Sequence, residues 1–310
     1  MRILRSYQGL DDNARGASAA IGNFDGVHLG HQAVLDLARG AATKGGSPLG
    51  VLTFEPHPRE VFAPDAPPFR LMNAEAKAHR LDRLGVERLY ELPFDTALSR
   101  LSPEAFAQDV LVDGLGLSHV VIGRDFHFGA KRAGDADAMR DFGDRFGFGV
   151  TIADLIAGDD GQISSTRIRE ALSKGDPRQA AEMLGHLHRI DGPVIGGERR
   201  GRELGYPTAN MSMDGLHLPR FGVYAVTVDI LSGPHAGTHP GVASLGVRPM
   251  FGVNTPNLET FIFDFSGDLY GADLSVGLVE FLRGEETFDS LDALIAQMDR
   301  DSARAREILA

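Results

Sequence analysis

A chain of 310 residues, 43% apolar and 24% charged, has a globular composition and the length of two domains, which excludes a disordered chain. Its net charge of −12, with Lys and Arg scattered along the chain, argues against a nucleic-acid partner. The absence of cysteine excludes disulfides, thiolate metal sites and thiol catalysis. No apolar run approaches the ~20 residues of a membrane helix, and Met1–Tyr7 lacks a signal-peptide apolar region, so a cytoplasmic enzyme of small metabolites is expected.

In chain order, the first half alternates short apolar runs with amphipathic stretches. Strands are expected at 17–23, 50–54, 88–92, 119–123 and 148–152, and helices at 31–43, 74–84, 102–111 and 136–146. That alternation predicts a parallel sheet covered by helices, with ligands beyond the carboxyl ends of the strands. The pattern ends near 173–187. Beyond it, β-like runs at 192–195, 222–230, 239–245, 258–265 and 275–282 are punctuated by Gly, Pro, Asn and Asp, which predicts an antiparallel barrel or sandwich. Leu291, Leu294, Ile295 and Met298 recur at helical spacing, so a closing helix over 290–309 is expected, capped by Ser290.

Three segments of the first half carry chemistry. Gly22-Asn23-Phe24-Asp25-Gly26-Val27-His28-Leu29-Gly30-His31 leaves a strand, crosses a Gly-rich loop and enters a helix. Glycines let backbone N–H groups approach phosphates, and a helix N-terminus favours anions. His28 and His31, three apart, can point two donors at one phosphate, and Gly30 leaves room between them. This suits nucleotidyl transfer, in which an acceptor phosphate is aligned with the α-phosphate of ATP and the growing charge is stabilised. Ser164-Ser165-Thr166 followed by Arg169 reads as a second phosphate cradle or as a plain helix cap. Thr53-Phe54-Glu55-Pro56-His57-Pro58 sits where an acceptor would bind; Phe54 is either a stacking platform or a core residue, and His57 either a ligand contact or a surface turn.

The second half has one dense patch, Gly201 to Asn210. In an extended segment Thr208 and Asn210 face the same way and could offer two oxygens to one Mg²⁺. Glu259, in a strand-like run, is either a general base on a hydroxyl or a solvent-facing carboxylate.

Gly22–His31, Thr53–Pro58, Val121-Ile122-Gly123-Arg124-Asp125-Phe126-His127-Phe128-Gly129 and Ile163–Arg169 together resemble the prokaryotic bifunctional riboflavin kinase/FAD synthetase family, over nearly the whole first half. Gly201–Asn210, Gly222–Val226, Gly241–Pro249 and Glu259–Gly271 follow in the order of its kinase module. The resemblance implies an N-terminal Rossmann-like nucleotidyltransferase domain, residues 1–180, and a C-terminal six-stranded antiparallel riboflavin-kinase barrel with a terminal helix, residues 184–310. It implies that Gly22, Phe24, Asp25, Gly26, His28, His31, Ser164, Ser165, Thr166 and Arg169 handle ATP. Phe54, Pro56, His57, Pro58, Asp125, Phe126 and Phe128 would lie near the flavin or the adenine. Gly201, Pro207, Thr208 and Asn210 would hold ATP phosphates, with Thr208 and Asn210 on Mg²⁺. Arg248 and Glu259 would face the flavin, Glu259 activating the ribityl 5′-hydroxyl. Riboflavin, FMN, FAD and ATP are then the expected small-molecule partners, with no nucleic acid or membrane. The chain departs from the family at Ser244, where Asn is frequent, at Met250, where Thr is frequent, and at Gly284, where Pro is usual.

Two other readings are compatible with the residues. One is an HxGH nucleotidyltransferase with another acceptor, such as pantetheine phosphate or nicotinate mononucleotide. The other makes the C-terminal barrel a non-catalytic flavin-binding or regulatory module.

Overall fold

Small residues set the geometry of the first sheet. The structure, a computed structural model, describes residues 1–154, 157–158, 161–196, 206–250 and 253–310, except for the side chains of 157–158, 248–250 and 253–254. Its described residues fall into two compact units, 1–67 with 77–163, and 68–76 with 164–310.

In the first unit, strands β1 (Arg2–Leu4), β2 (Ser18–Ile21), β3 (Leu49–Glu55), β4 (Arg88–Pro93), β5 (His119–Gly123) and β6 (Gly149–Ala153) form one sheet in the order β1-β4-β3-β2-β5-β6. All five pairings are parallel. β2 reads Ser-Ala-Ala-Ile and is wholly buried, so helix α1 (Leu29–Gly45) packs close enough for Ser18 Oγ to donate to Ala38 O at 2.9 Å. On α1, Leu35, Ala38 and Ala42 fall on one face and are buried. Gly46, at φ 63°, closes the helix in the left-handed conformation that glycine adopts without strain. Chain order β2-β3-β4 runs one way across the sheet, and β5-β6 extends from the other side of β2. The topological switch point therefore lies between β2 and β5, where ligands of such sheets bind.

The second unit opens with two short helices, Ser165–Lys174 and Pro177–Leu184, capped by Ser164 and Asp176 and ended by left-handed Gly175 and Gly185. Strands β7 (His188–Pro193), β8 (Thr208–Ser212), β9 (Gly222–Ile230), β10 (Gly237–Met250), β11 (Val253–Ile262) and β12 (Asp273–Arg283) form an antiparallel sheet in the order β8-β11-β10-β9-β12-β7. The sheet curls until its edge strands meet, where Ile195 N–H donates to Asn210 O at 2.9 Å. Tyr224, Val226, Leu245, Leu258, Val276 and Leu278 fill the inside.

A terminal helix, α2 (Leu291–Leu309), packs on the outside of the barrel and is capped by Ser290 Oγ, which accepts from Ala293 N–H at 3.2 Å. Buried Asp301 clamps it to the end of β12. Arg283 Nε lies 2.9 Å and Nη2 2.8 Å from Asp301 Oδ2, and Gln297 adds a third donor. Removing one member of a buried pair strands the other, so Asp301→Ala should lower the stability of this unit by about 3 kcal/mol. Urea unfolding of the variant measures it; a loss below about 1 kcal/mol would mean the pair is worth no more than a surface one.

His188 is buried at the start of β7. Burial, with His217 and His186 adding to it, pushes its pKa down to about 3. The unfolded chain therefore binds a proton at this residue below about 6.5 that the folded chain refuses. Its contribution is intact above that pH and is lost as pH falls toward 3. His188→Leu should flatten the fall of the urea midpoint below pH 6.5, by up to about 1.4 kcal/mol per pH unit. Parallel slopes in parent and variant would refute this.

Candidate active sites

In the first unit, the carboxyl ends of three neighbouring strands run directly into three of the segments that carry the resemblance. β2 enters Gly22–His31, β3 enters Thr53–Pro58, and β5 enters Gly123–Phe128. Phe24, Gly26 and Val27 all have positive φ, at 51°, 86° and 43°. For a buried β-branched residue such as Val27 this is a strained conformation, of the kind found where a loop is held for function.

His28 is the N-cap of α1, and its Nδ1 accepts from His31 N–H at 3.3 Å. With Nδ1 an acceptor, the neutral ring carries its proton on Nε2 and presents a donor there. The rings of His28 and His31 stack at 3.7 Å, and Phe24 flanks His31 at 5.0 Å. A Cβ on Gly30 would come within 3.0 Å of the His28 ring, so only glycine leaves that ring in place. His31 is held well below the usual histidine pKa by burial, then by His28 and the Lys77 cation. It is therefore neutral at pH 7, and its Nδ1 is buried without a hydrogen-bond partner among the described residues. Lys77, 1% exposed, sits 2.6 Å from Glu55 Oε1 and 3.2 Å from Thr53 Oγ1. Thr53 Oγ1 in turn donates to Asn23 O at 3.2 Å, which ties the second segment to the first.

Phe54 lies in the core, edge-on to Phe94 at 5.6 Å. Pro56 is exposed, and Pro58 begins a one-turn helix that His57 caps: His57 Nδ1 accepts from Arg59 N–H, and Glu60 accepts from His57 N–H. Asp125 is exposed. Phe126 stacks on buried Phe128 at 5.8 Å. Asp25 is buried.

In the second unit, Ser164 Oγ caps the helix Ser165–Lys174, accepting from Arg167 N–H at 3.4 Å. Ser165 and Thr166 occupy its first turn. Arg169 stands one turn on, with Nε donating to Phe69 O at 2.6 Å and the guanidinium over the Phe69 ring.

The barrel carries the other constellation. Register places Asn210 opposite Glu259 and Glu259 opposite Ser244, so the three share a rung across β8, β11 and β10. Thr208, two residues from Asn210, shares its face. Glu259, Thr208 and Ser244 line a cavity of about 510 Å³ between the barrel and the terminal helix. Its apolar walls include Val223, Val242, Phe261, Leu294 and Met298, and Arg283 and Asp301 reach its edge. Pro207 precedes β8 and is exposed. Gly201 lies outside the described residues, as do the side chains of Arg248 and Met250; Gly284 accepts from Arg283 Nη1 through its carbonyl. Asn257, which no sequence pattern marks, is buried beside this rung, with Nδ2 3.2 Å from Asn210 Oδ1.

A family model of FAD synthetase matches residues 10–167, and one of riboflavin kinase matches residues 184–309. The chain is 42% identical to a bifunctional riboflavin kinase/FMN adenylyltransferase from Pseudomonas fluorescens, over all of this chain and 98% of the relative. The protein of that name from Escherichia coli K12 is 37% identical, over 99% and 97%. The chain belongs to the bifunctional riboflavin kinase/FMN adenylyltransferase family. It is a two-activity enzyme: the C-terminal kinase phosphorylates riboflavin to FMN with ATP, and the N-terminal FAD synthetase adenylylates FMN to FAD. A crystal structure described as a macrolide-efflux protein from Streptococcus pneumoniae superposes with a TM-score of 0.83 at 31% identity, covering 98% of each chain. No helix among the described residues of this family member is long and apolar enough to cross a membrane.

Proposed function

We propose that residues 1–180 carry the adenylyltransferase and 184–310 the kinase, with the sites named above as their machinery and the cytoplasm, where ATP is made and used, as the location. What carries the assignment of the first site is His28: its cap fixes one tautomer and so one donor at a helix N-terminus beyond the switch point. His28 and neutral His31 then act through hydrogen bonds on the α-phosphate as charge builds there, while Gly22, Phe24, Asp25 and Gly26 shape the loop around the nucleotide. Ser164, Ser165, Thr166 and Arg169 handle ATP phosphates, as the resemblance implies. Phe54, Pro56, His57, Pro58, Asp125, Phe126 and Phe128 form the flavin and adenine surroundings. FMN supplies the attacking phosphate oxygen and diphosphate leaves, so no covalent enzyme intermediate is needed.

The kinase reading rests on Glu259, which lines the cavity and shares a rung with Asn210. Glu259 takes the proton of the ribityl 5′-hydroxyl as that oxygen attacks the γ-phosphate of ATP. Gly201, Pro207, Thr208 and Asn210 hold the phosphates, and Arg248 meets the flavin. Among the described residues no group of three or more His, Asp or Glu converges to hold a metal. The hydroxyl of Thr208 and the amide oxygen of Asn210, on one face, nevertheless make the hard-oxygen set that Mg²⁺ takes alongside phosphates. When bound, Mg²⁺ neutralises phosphate charge.

Asn210→Ala tests this. It should raise the Mg²⁺ concentration for half-maximal riboflavin phosphorylation by about tenfold or more and leave the Mg²⁺ dependence of FMN adenylylation unchanged. An unaltered Mg²⁺ curve for the kinase would remove Asn210 from the metal site.

A further inference from the structure

We infer that Asn257 is a positioning residue of the kinase site, its buried amide holding the Asn210 oxygen and the Glu259 carboxylate in one mutual orientation. The inference rests on the reading of Asn210 and Glu259 given above. Asn257 is 2% exposed and lies on the sheet face of that rung, diagonal to Asn210 and two residues before Glu259. Its Nδ2 donates to Asn210 Oδ1 at 3.2 Å and stands 3.5 Å from Glu259 Oε1.

Chemistry fixes which way this amide points. Glu259, when ionised, only accepts hydrogen bonds. Turning the Asn257 amide over would set its oxygen against a carboxylate oxygen and against Asn210 Oδ1, three acceptors with no proton among them. With Nδ2 toward Glu259, Asn210 in turn must present its oxygen to Asn257 rather than its NH₂. That oxygen has a second lone pair, and the relay therefore decides which atom of Asn210 stands at the phosphate side. Asn257 thus couples the base to the phosphate-holding amide without itself touching the hydroxyl or the phosphate.

One further atom supports this. Asn257 Oδ1 is buried and has no hydrogen-bond partner among the described residues. Leaving a buried acceptor unpaired is costly. A side chain kept only for packing would do better as Leu or Val; an amide kept here at that cost is retained for its donor.

The test is steady-state riboflavin phosphorylation by the full chain carrying Asn257→Leu or Asn257→Ser. Leu keeps bulk and removes the donor; Ser is smaller, does not overfill the site, and cannot span both acceptors. Both should lower kcat about 10- to 100-fold, the range of a lost hydrogen bond to a charged group. The KM for riboflavin, and the riboflavin affinity read by quenching of flavin fluorescence, should stay within about twofold. A packing role would move affinity and kcat together, because the cavity would deform. Unchanged kcat in the folded Ser variant, or a fall in kcat matched by an equal loss of riboflavin affinity, would overturn the inference. Asn210→Ala and Glu259→Gln are assayed in parallel. If they keep full kinase turnover, the underlying reading of the site fails; if they lose it and Asn257→Ser does not, only the role of Asn257 fails.

Discussion

His28→Ala lowers FMN adenylylation about 10²- to 10³-fold and leaves riboflavin phosphorylation within about twofold of the parent chain. Removing one preorganised donor from a developing oxyanion costs about that much, and the same electrostatic logic holds for charge growing on a phosphate. The loss has a second source. The same ring caps α1, and removing a cap costs about 1 kcal/mol of helix stability. His28→Asn separates the two, because Asn caps a helix well and offers no ring donor at the place of Nε2. The Asn variant should recover the stability of the parent and remain deficient in FAD formation. Recovery of activity together with stability would mean that the cap, and not the donor, is what the site needs from His28.

The second large effect is at Glu259. Glu259→Gln keeps an oxygen to accept from Asn257 and removes only the capacity to take a proton. The kcat of riboflavin phosphorylation should fall about 10²- to 10⁴-fold, the usual contribution of a general base, with the KM for riboflavin little changed. FAD formation from added FMN should be untouched. Retention of kinase turnover would make Glu259 a wall of the cavity and move the base elsewhere.

Much of the fold is legible in the amino-acid sequence. The strand runs at 50–54, 88–92 and 119–123 fall on β3, β4 and β5, because continuous apolar runs between turn residues have few other solutions in an alternating chain. The edge strand Arg2–Leu4 was not legible: three residues with two exposed side chains carry no periodicity. In the barrel, β10 and β11 are longer than their apolar runs at 239–245 and 258–265 suggest. Pro240, Pro249 and Pro256 lie within these strands but read as punctuation in the sequence, since proline cannot donate to a ladder. The helix Pro177–Leu184 falls where the alternating pattern ends and was not expected, although Asp176, Pro177 and Gly185 are cap signals.

Site residues were legible in proportion to how much backbone geometry they require. Gly30 and the two histidines form a spacing with a steric reason, visible in the 3.0 Å approach to the His28 ring. Asn257 could not be found this way. A single Asn after a proline reads as a break in the strand, and its meaning depends on Asn210, 47 positions away, which only the register of β8 with β11 brings beside it. His57 is an intermediate case. Its place after β3 was evident, but its capping box with Glu60 is a local bond that the Pro-His-Pro pattern alone does not reveal.

Two separable sites in one chain are the central claim, and complementation tests it most directly. Riboflavin and ATP are incubated with His28→Ala alone, with Glu259→Gln alone, and with both together, and the flavins are resolved over time. The first variant should stop at FMN, the second should leave riboflavin unconverted, and the mixture should make FAD through FMN released by one chain and taken up by the other. If each folded variant loses both activities, or if the mixture makes no FAD while the unaltered chain does, the division of the two reactions between these residues is wrong.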